Sequence, residues 1–303
     1  MNKTTQDIIS QLSELILGKE EQIRLAVVCL LCKGHLLIED LPGMGKTTLS
    51  HGLANVLGLS YQRVQFTSDL LPADITGSSV FNTSQQSFDF HPGPIFSQVL
   101  LADEINRASP KTQSALLEAM EERQVTMDGK THPLPEPFFV IATQNPLHQS
   151  GTHPLPESQL DRFFLRISLG YPDEHAEKSL ILGNNLQRQS LNELTCVLDL
   201  NALATLQQAV LDVNLSDSVV QYIINLVNFT RYSGQFSDPL SPRASIALGL
   251  ATRAYALTQN RDYALPDDVQ AVFAAVAGHR LNISANELDD VVKGIFDNVA
   301  VVL

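Results

Sequence analysis

The stretch from Leu36 to Thr48, LLIEDLPGMGKTT, constrains the fold of this chain more than any other part of it. Leu36 to Ile38 suit a short buried strand, and Lys46-Thr47 opens an amphipathic helix reaching about Leu57. Pro42-Gly43-Met44-Gly45 makes the loop between them. Strand, glycine loop and helix starting at Lys-Thr are the parts of a phosphate cradle. Gly43 and Gly45 leave no Cβ between backbone N–H groups and an anion, and a helix N-terminus adds partial positive charge there. Lys46 is placed to reach the β- and γ-phosphates of a nucleotide, and the Thr47 hydroxyl to ligate Mg²⁺. Asp40 stands where such loops usually open with glycine. Its carboxylate is expected to face the strand exit and to be tolerated.

The second strong signal is Val99-Leu-Leu-Ala102 followed by Asp103-Glu104. A buried strand ending in two acids delivers carboxylates to the C-terminal edge of a parallel sheet, where open α/β folds bind ligands. Asp103 fits a Mg²⁺ contact through water, and Glu104 fits the residue that orients and deprotonates the attacking water. A third apolar strand, Phe138 to Ala142, ends in Thr143-Gln144-Asn145-Pro146. Asn145 at that tip is placed to sense the γ-phosphate and hold the water; an isolated Asn-Pro is otherwise a turn.

With 303 residues, 44% of them hydrophobic, the chain has material for one large or two ordinary domains. Its net charge of −13 is a poor match to nucleic acid, whose binding rests largely on Lys and Arg at phosphates. No apolar run approaches the roughly 20 residues of a membrane span. The opening MNKTTQDIISQLSEL has helical spacing unlike a signal peptide, so a soluble cytoplasmic protein is expected. Cys29 and Cys32 form a Cys-x-x-Cys inside an apolar helical stretch. Zinc would need partners that only a distant Cys196 remains to supply, so core thiols are expected.

Taken in order, Thr5 to Ile16 form a helix, Leu17-Gly18-Lys19 a break, and Lys19 to Lys33 a second helix. Tyr61 to Phe66 read as a strand. Thr67 to Phe96 is long for a structureless loop, so it is functional or carries small elements of its own. Its Asp74-to-Ser78 run faintly resembles a metal-adhesion motif, with Thr in place of the first Ser and no distant partners. Pro110 to Glu122 is a helix, and Arg123 to Thr131 a hairpin turning at Asp128-Gly129. Leu155 to Ile167 is a short helix running into a last strand. It carries Arg162 and Arg166, either a surface salt-bridge pair or a cation for a neighbouring subunit's site. From Glu174 onward only helical periodicity remains: Glu174–Leu186, Ala202–Leu211, Asp217–Tyr232, Pro242–Thr258, Pro266–His279 and roughly Asn286 to Val302. Arg243 falls in the first helical turn after Pro242, either a solvated surface cation or one reaching toward a shared cleft.

Together these features resemble an AAA+ ATPase, and more closely its MoxR group, from about Leu17 to Arg280. The densest likeness lies in FTSDLLPADITGSSVF, HPGPIF, LLADEINRASPKTQSALLEAMEERQVTMDG, PFFVIATQNP, GTHPLPESQLDRF and SPRAS. The resemblance implies an α/β fold, with an AAA+ P-loop core (residues 1–173) built on a parallel sheet flanked by helices. A smaller all-helical lid domain (174–303) follows. It makes Pro42, Gly43, Met44, Gly45, Lys46, Thr47 and Thr48 the Walker A loop, with Asp103 and Glu104 the Walker B pair. Asn145 becomes sensor 1, Arg162 an arginine finger acting in trans with Arg166 as its fallback, and Arg243 sensor 2. Gly18 and the Tyr171-Pro172 turn would flank the adenine. The segment after Tyr61 would hold an insert and Arg123 to Thr131 a hairpin, both facing a ring pore. His153 departs from the family pattern, where an aromatic residue is common.

The reading is Mg²⁺-dependent ATP hydrolysis by a ring, hexameric by resemblance, that matures or activates a partner complex by inserting a metal or cofactor or by remodelling it. Such partners often carry a von Willebrand A domain. A DNA-dependent motor would share every ATPase residue, but the acidic balance opposes it. A nucleotide-gated scaffold with little turnover is opposed by intact Asp103, Glu104 and Asn145.

Overall fold

The computed structural model describes residues 3–145, 152–182 and 194–301. Pro146, Gly151, the end of the first lid helix expected through Leu186, and Val302 lie outside them.

Helix α1 (Lys3–Leu15) buries Ile8, Ile9, Leu12 and Leu15, the apolar stripe expected of it. Gly18, at φ 72°, supplies the left-handed turn before α2 (Glu20–Leu31). A Cβ on Gly18 would stand 2.6 Å from Asp173 Oδ2, so the position also needs a bare backbone. Cys29 is buried and Cys32 half-buried, unpaired among apolar neighbours, and burial pushes both thiols up.

Strand β1 (Leu36–Glu39) leads through the glycine loop into α3 (Lys46–Val56) and then β2 (Tyr61–Gln65). The long segment that follows is not structureless. It folds as a short helix α4 (Pro72–Thr76) and a hairpin of β3 (Gly77–Asn82) with β4 (Ser87–Pro92). The Asn82 carboxamide accepts from Ser84 and Gln85 N–H and closes the turn. Asp74 is spent on the Leu71 N–H that heads α4, and among the described residues no group of acids, histidines or cysteines could hold a metal.

Strand β5 (Val99–Asp103) precedes α5 (Pro110–Glu122), whose Ser109 cap accepts from Thr112 N–H with Pro110 in the first turn. The hairpin of β6 (Gln124–Met127) and β7 (Lys130–Pro133) turns at Asp128-Gly129, both at positive φ. Strand β8 (Phe139–Gln144), the one-turn helix α6 (Glu157–Leu160) and β9 (Leu165–Ile167) complete the α/β part. The sheet runs β2-β5-β8-β1-β9, every pair parallel. Its three central strands are apolar because both faces are covered, as parallel sheets require.

The rest of the described chain is helical: α7 (Glu174–Ile181), α8 (Leu200–Asp212), α9 (Asp217–Tyr232), α10 (Pro242–Thr258), α11 (Pro266–Ala277) and α12 (Leu288–Asn298). The last ends four residues short of the expected Val302. One hydrophobic cluster joins helices α8 through α12 to α1, α2, α3 and one face of the sheet. A second, around Phe66, Leu116, Val140 and Phe163, fills the other face. The change at residue 173 is therefore one of architecture, and packing is continuous across it.

Candidate nucleotide site and its relatives

Parallel strands put all their C-terminal ends on one edge, and there β1, β5 and β8 deliver the glycine loop, Asp103-Glu104 and Asn145. They meet around a cavity of about 590 Å³ lined by Pro42 to Thr48, Asp103, Glu104 and Asn145. Gly43 and Gly45 both have φ 89°, and a Cβ at either would meet nothing within 4 Å. Left-handed backbone and open space, rather than crowding, are what glycine supplies here. The α3 N-terminus has no side-chain cap, which leaves its first N–H groups turned to the cavity for an anion.

Lys46 is buried, with Nζ donating to Asp40 O at 2.7 Å and to Asn145 Oδ1 at 3.2 Å. Burial pulls its ammonium below the usual lysine range, against the pull of Asp40, Asp103 and Glu104. The Asp40 carboxylate faces away from the loop, as expected. It accepts from Ser168 Oγ at 2.8 Å, from Gly170 N–H at 3.2 Å and from Leu169 N–H. Asp40 therefore pins the exit of β9 to the entry of the glycine loop.

Glu104 has φ 57°, an uncommon conformation for a non-glycine residue, and it turns the side chain over the cavity. Its Oε1 accepts from Asn145 Nδ2 at 3.0 Å, and Oε2 from Gln65 Nε2 and Arg107 Nη1 at 2.8 Å each. Thr143 Oγ1 accepts from Glu104 N–H at 2.9 Å and donates to Asp103 Oδ1 at 2.6 Å. Thr47, exposed, and Asp103 line the same cavity. One hydroxyl and one carboxylate are hard oxygen donors that fit Mg²⁺, an ion that keeps most of its waters and shares phosphate oxygens.

Three expectations meet a different geometry. Gly18 itself does not line the cavity; Leu17, Lys19, Gly170 and Pro172 do, and Lys19 Nζ donates to Tyr171 O at 2.6 Å. Arg243 does not line it either. Its guanidinium lies 3.5 Å from Glu121 and 3.7 Å from Asp161. Arg162 shares that cluster, donating to Leu117 O at 2.9 Å and pairing with Glu121 at 2.5 Å. This cluster is at the opposite edge of the sheet: Phe164 N–H donates to His35 O at the entrance of β1, whereas the glycine loop follows its exit. Arg166 is enclosed, pairing with Glu39 at 3.0 Å and donating to Ile283 O at 2.8 Å, which leaves it no reach as a finger.

Arg63 and Gln65 were missed in the sequence. Both are on β2, which read only as a strand; their spacing of two residues toward the acid-bearing neighbour was the signal available.

A parallel sheet with a glycine loop at one exit, paired acids two strands away and a helical tail defines a P-loop ATPase with a lid. Residues 35–165 match the family model described as ATPase family associated with various cellular activities (AAA), and residues 230–295 the AAA lid domain. Chaperone MoxR1 of Mycobacterium tuberculosis is 38% identical over 95% of this chain and 78% of its own length. An uncharacterised Bacillus subtilis protein, YeaC, is 46% identical over 90% of this chain and 85% of its own. A Cytophaga hutchinsonii crystal structure, assigned as an ATPase, superposes with a TM-score of 0.89 at 33% identity, covering 100% of this chain and 96% of that one. The chain belongs to the MoxR family of AAA+ ATPases.

Proposed function

We propose that this ATPase hydrolyses Mg²⁺-ATP at sites shared between neighbouring copies in a ring, hexameric by family resemblance. Residues 1–173 serve as the nucleotide-binding core and 174–303 as the lid. In this reading Gly43 to Thr48 hold the phosphates and Lys46 neutralises them. Thr47 and Asp103 hold Mg²⁺, which supplies further charge neutralisation. Glu104 takes the proton of the attacking water, with Asn145 orienting its carboxylate. Arg162, with Arg243 beside it, serves the site of the adjacent copy, a role worth about 10³ to 10⁵ in rate where arginine fingers have been measured.

The observation that carries this reading is the distance built into the topology. Arg162 precedes β9 at the sheet edge where β1 begins, a full strand away from the cavity at its end. Among the described residues neither Arg162 nor Arg243 lines the cavity of its own chain, and a second copy is the simplest way for that cluster to reach one. The work done is chaperone-like: maturation or remodelling of a cytoplasmic partner complex, with a von Willebrand A domain protein as the adaptor. The name of MoxR1 supports the chaperone class.

The test is ATPase rate per subunit against protein concentration, with sedimentation on the same samples with and without Mg²⁺-ATP. The rate is expected to rise as larger assemblies form. Full turnover by a persistent monomer would overturn the shared site.

A further inference from the structure

Strand β2 pairs with β5 in a register that sets Gln65 opposite Asp103 and Arg63 opposite Leu101. Residues two apart on a strand share a face, so both side chains reach the edge where the acids emerge. Arg63 Nη2 donates to Asp103 Oδ2 at 2.6 Å and to Gln65 Oε1 at 3.2 Å. Asp103 Oδ1 is already taken by Thr143. Both oxygens of the carboxylate are therefore engaged. Arg63 lines the same cavity, and its side chain is 47% exposed against 12% for that of Asp103. A shielded carboxylate without a counter-charge is costly, and Arg63 supplies that charge from a position it can leave.

We propose that Arg63 is the resting counter-ion of Asp103 and a positioning residue for the metal, releasing Oδ2 when hydrated Mg²⁺ arrives with nucleotide. The inference rests on the Mg²⁺-ATP reading above. Two consequences follow from charge alone. Without Mg²⁺, Arg63 offers the polyphosphate a favourable cation. With Mg²⁺, the ion pair competes for the carboxylate that the metal's waters require. Removing the charge weakens the first state and frees the second, so the gain in nucleotide affinity on adding Mg²⁺ becomes larger. A purely structural role on the edge strand would lower both affinities together and leave their ratio fixed. A direct phosphate contact in the Mg²⁺ state would shrink it.

The experiment titrates the full chain with a fluorescent methylanthraniloyl-ADP in excess EDTA and in excess Mg²⁺, for wild type, Arg63→Gln and Arg63→Lys. The ratio of the two Kd values is expected to rise about 3- to 10-fold in Arg63→Gln and to stay near wild type in Arg63→Lys. Arg63→Met keeps the aliphatic stem and reads the same ratio should the glutamine variant not fold. An unchanged or smaller ratio in the charge-removing variants overturns the proposal. Failure of wild type to bind the nucleotide in either buffer would instead refute the ATP reading on which it rests.

Discussion

His35, just before β1, has both ring nitrogens engaged. Nδ1 accepts from Val140 N–H at 3.0 Å, so the proton is on Nε2, which faces Met120 O at 3.3 Å. This arrangement admits only the neutral ring. Burial, helped by the charge of Arg123, pulls its pKa down to about 4. In the unfolded chain histidine titrates near 6.5. Between those values the unfolded state binds a proton that the fold refuses, so stability falls as pH is lowered through that window. The slope is at most about 1.4 kcal/mol per pH unit for one group. His279, whose Nε2–H donates to Phe163 O at 3.0 Å under similar burial, adds to the same trend. The wild-type Tm is therefore expected to drop from pH 7 to pH 5. His35→Asn keeps an acceptor for Val140 and should start lower at pH 7 but fall less steeply. Equal slopes in the two proteins would show that His35 is not the titrating group.

At the scale of elements, the hairpin β3–β4 is held to α4 by backbone contact. A Cβ on Gly93 would stand 2.2 Å from Ile75 O and 2.5 Å from Gly77 N, neither of which can swing aside. Gly93→Ala is expected to cost about 1–3 kcal/mol and lower Tm by several degrees. Gly294, inside α12 with open space at its Cβ position, is the control: alanine there should be neutral or stabilising by up to about 1 kcal/mol. Differential scanning calorimetry of both variants decides; equal Tm changes would remove the steric argument. The same elements show what sequence can and cannot disclose. The glycine loop, the acid-tipped strand and the capped α5 are written in consecutive residues, and all three were legible. The insert hairpin was not: Ser87-Phe-Asp-Phe-His91 alternates, but its Phe88 is exposed, and the partner strand opens with Gly77-Ser-Ser, which presents no apolar face. Phe90 finds its reason only in space, stacked 4.0 Å from the ring of His132 on the β6–β7 hairpin. The contact of Arg63 with Asp103 spans 40 residues and depends on strand order, which local pattern does not specify.

At the scale of the whole molecule, the separation of Arg162 from its own cavity makes a definite complementation result. On the proposed roles, Glu104→Gln removes the base and is expected to bind ATP with almost no turnover, and Arg162→Ala removes the finger and should be strongly slowed. Neither defect affects the half-site supplied by the other variant. In a random equal mixture about a quarter of the interfaces pair an intact Glu104 with an intact Arg162, and turnover should reappear well above the sum of the two parents. No gain on mixing would show Arg162 to be a structural residue of its own chain. The sheet that sets this separation also has an open side. Strand β2 is its edge, with Gln62, Arg63 and Gln65 exposed along it. An unpaired strand of apolar character invites a stray strand from another chain, and charged or amide side chains discourage that pairing. Arg63 and Gln65 thus protect the molecule from aggregation with the same side chains that hold the two acids. A β-branched residue at either position would add strand propensity to an open edge and remove a partner of the acids, so β2 has little freedom to drift toward the β-branched composition typical of strands.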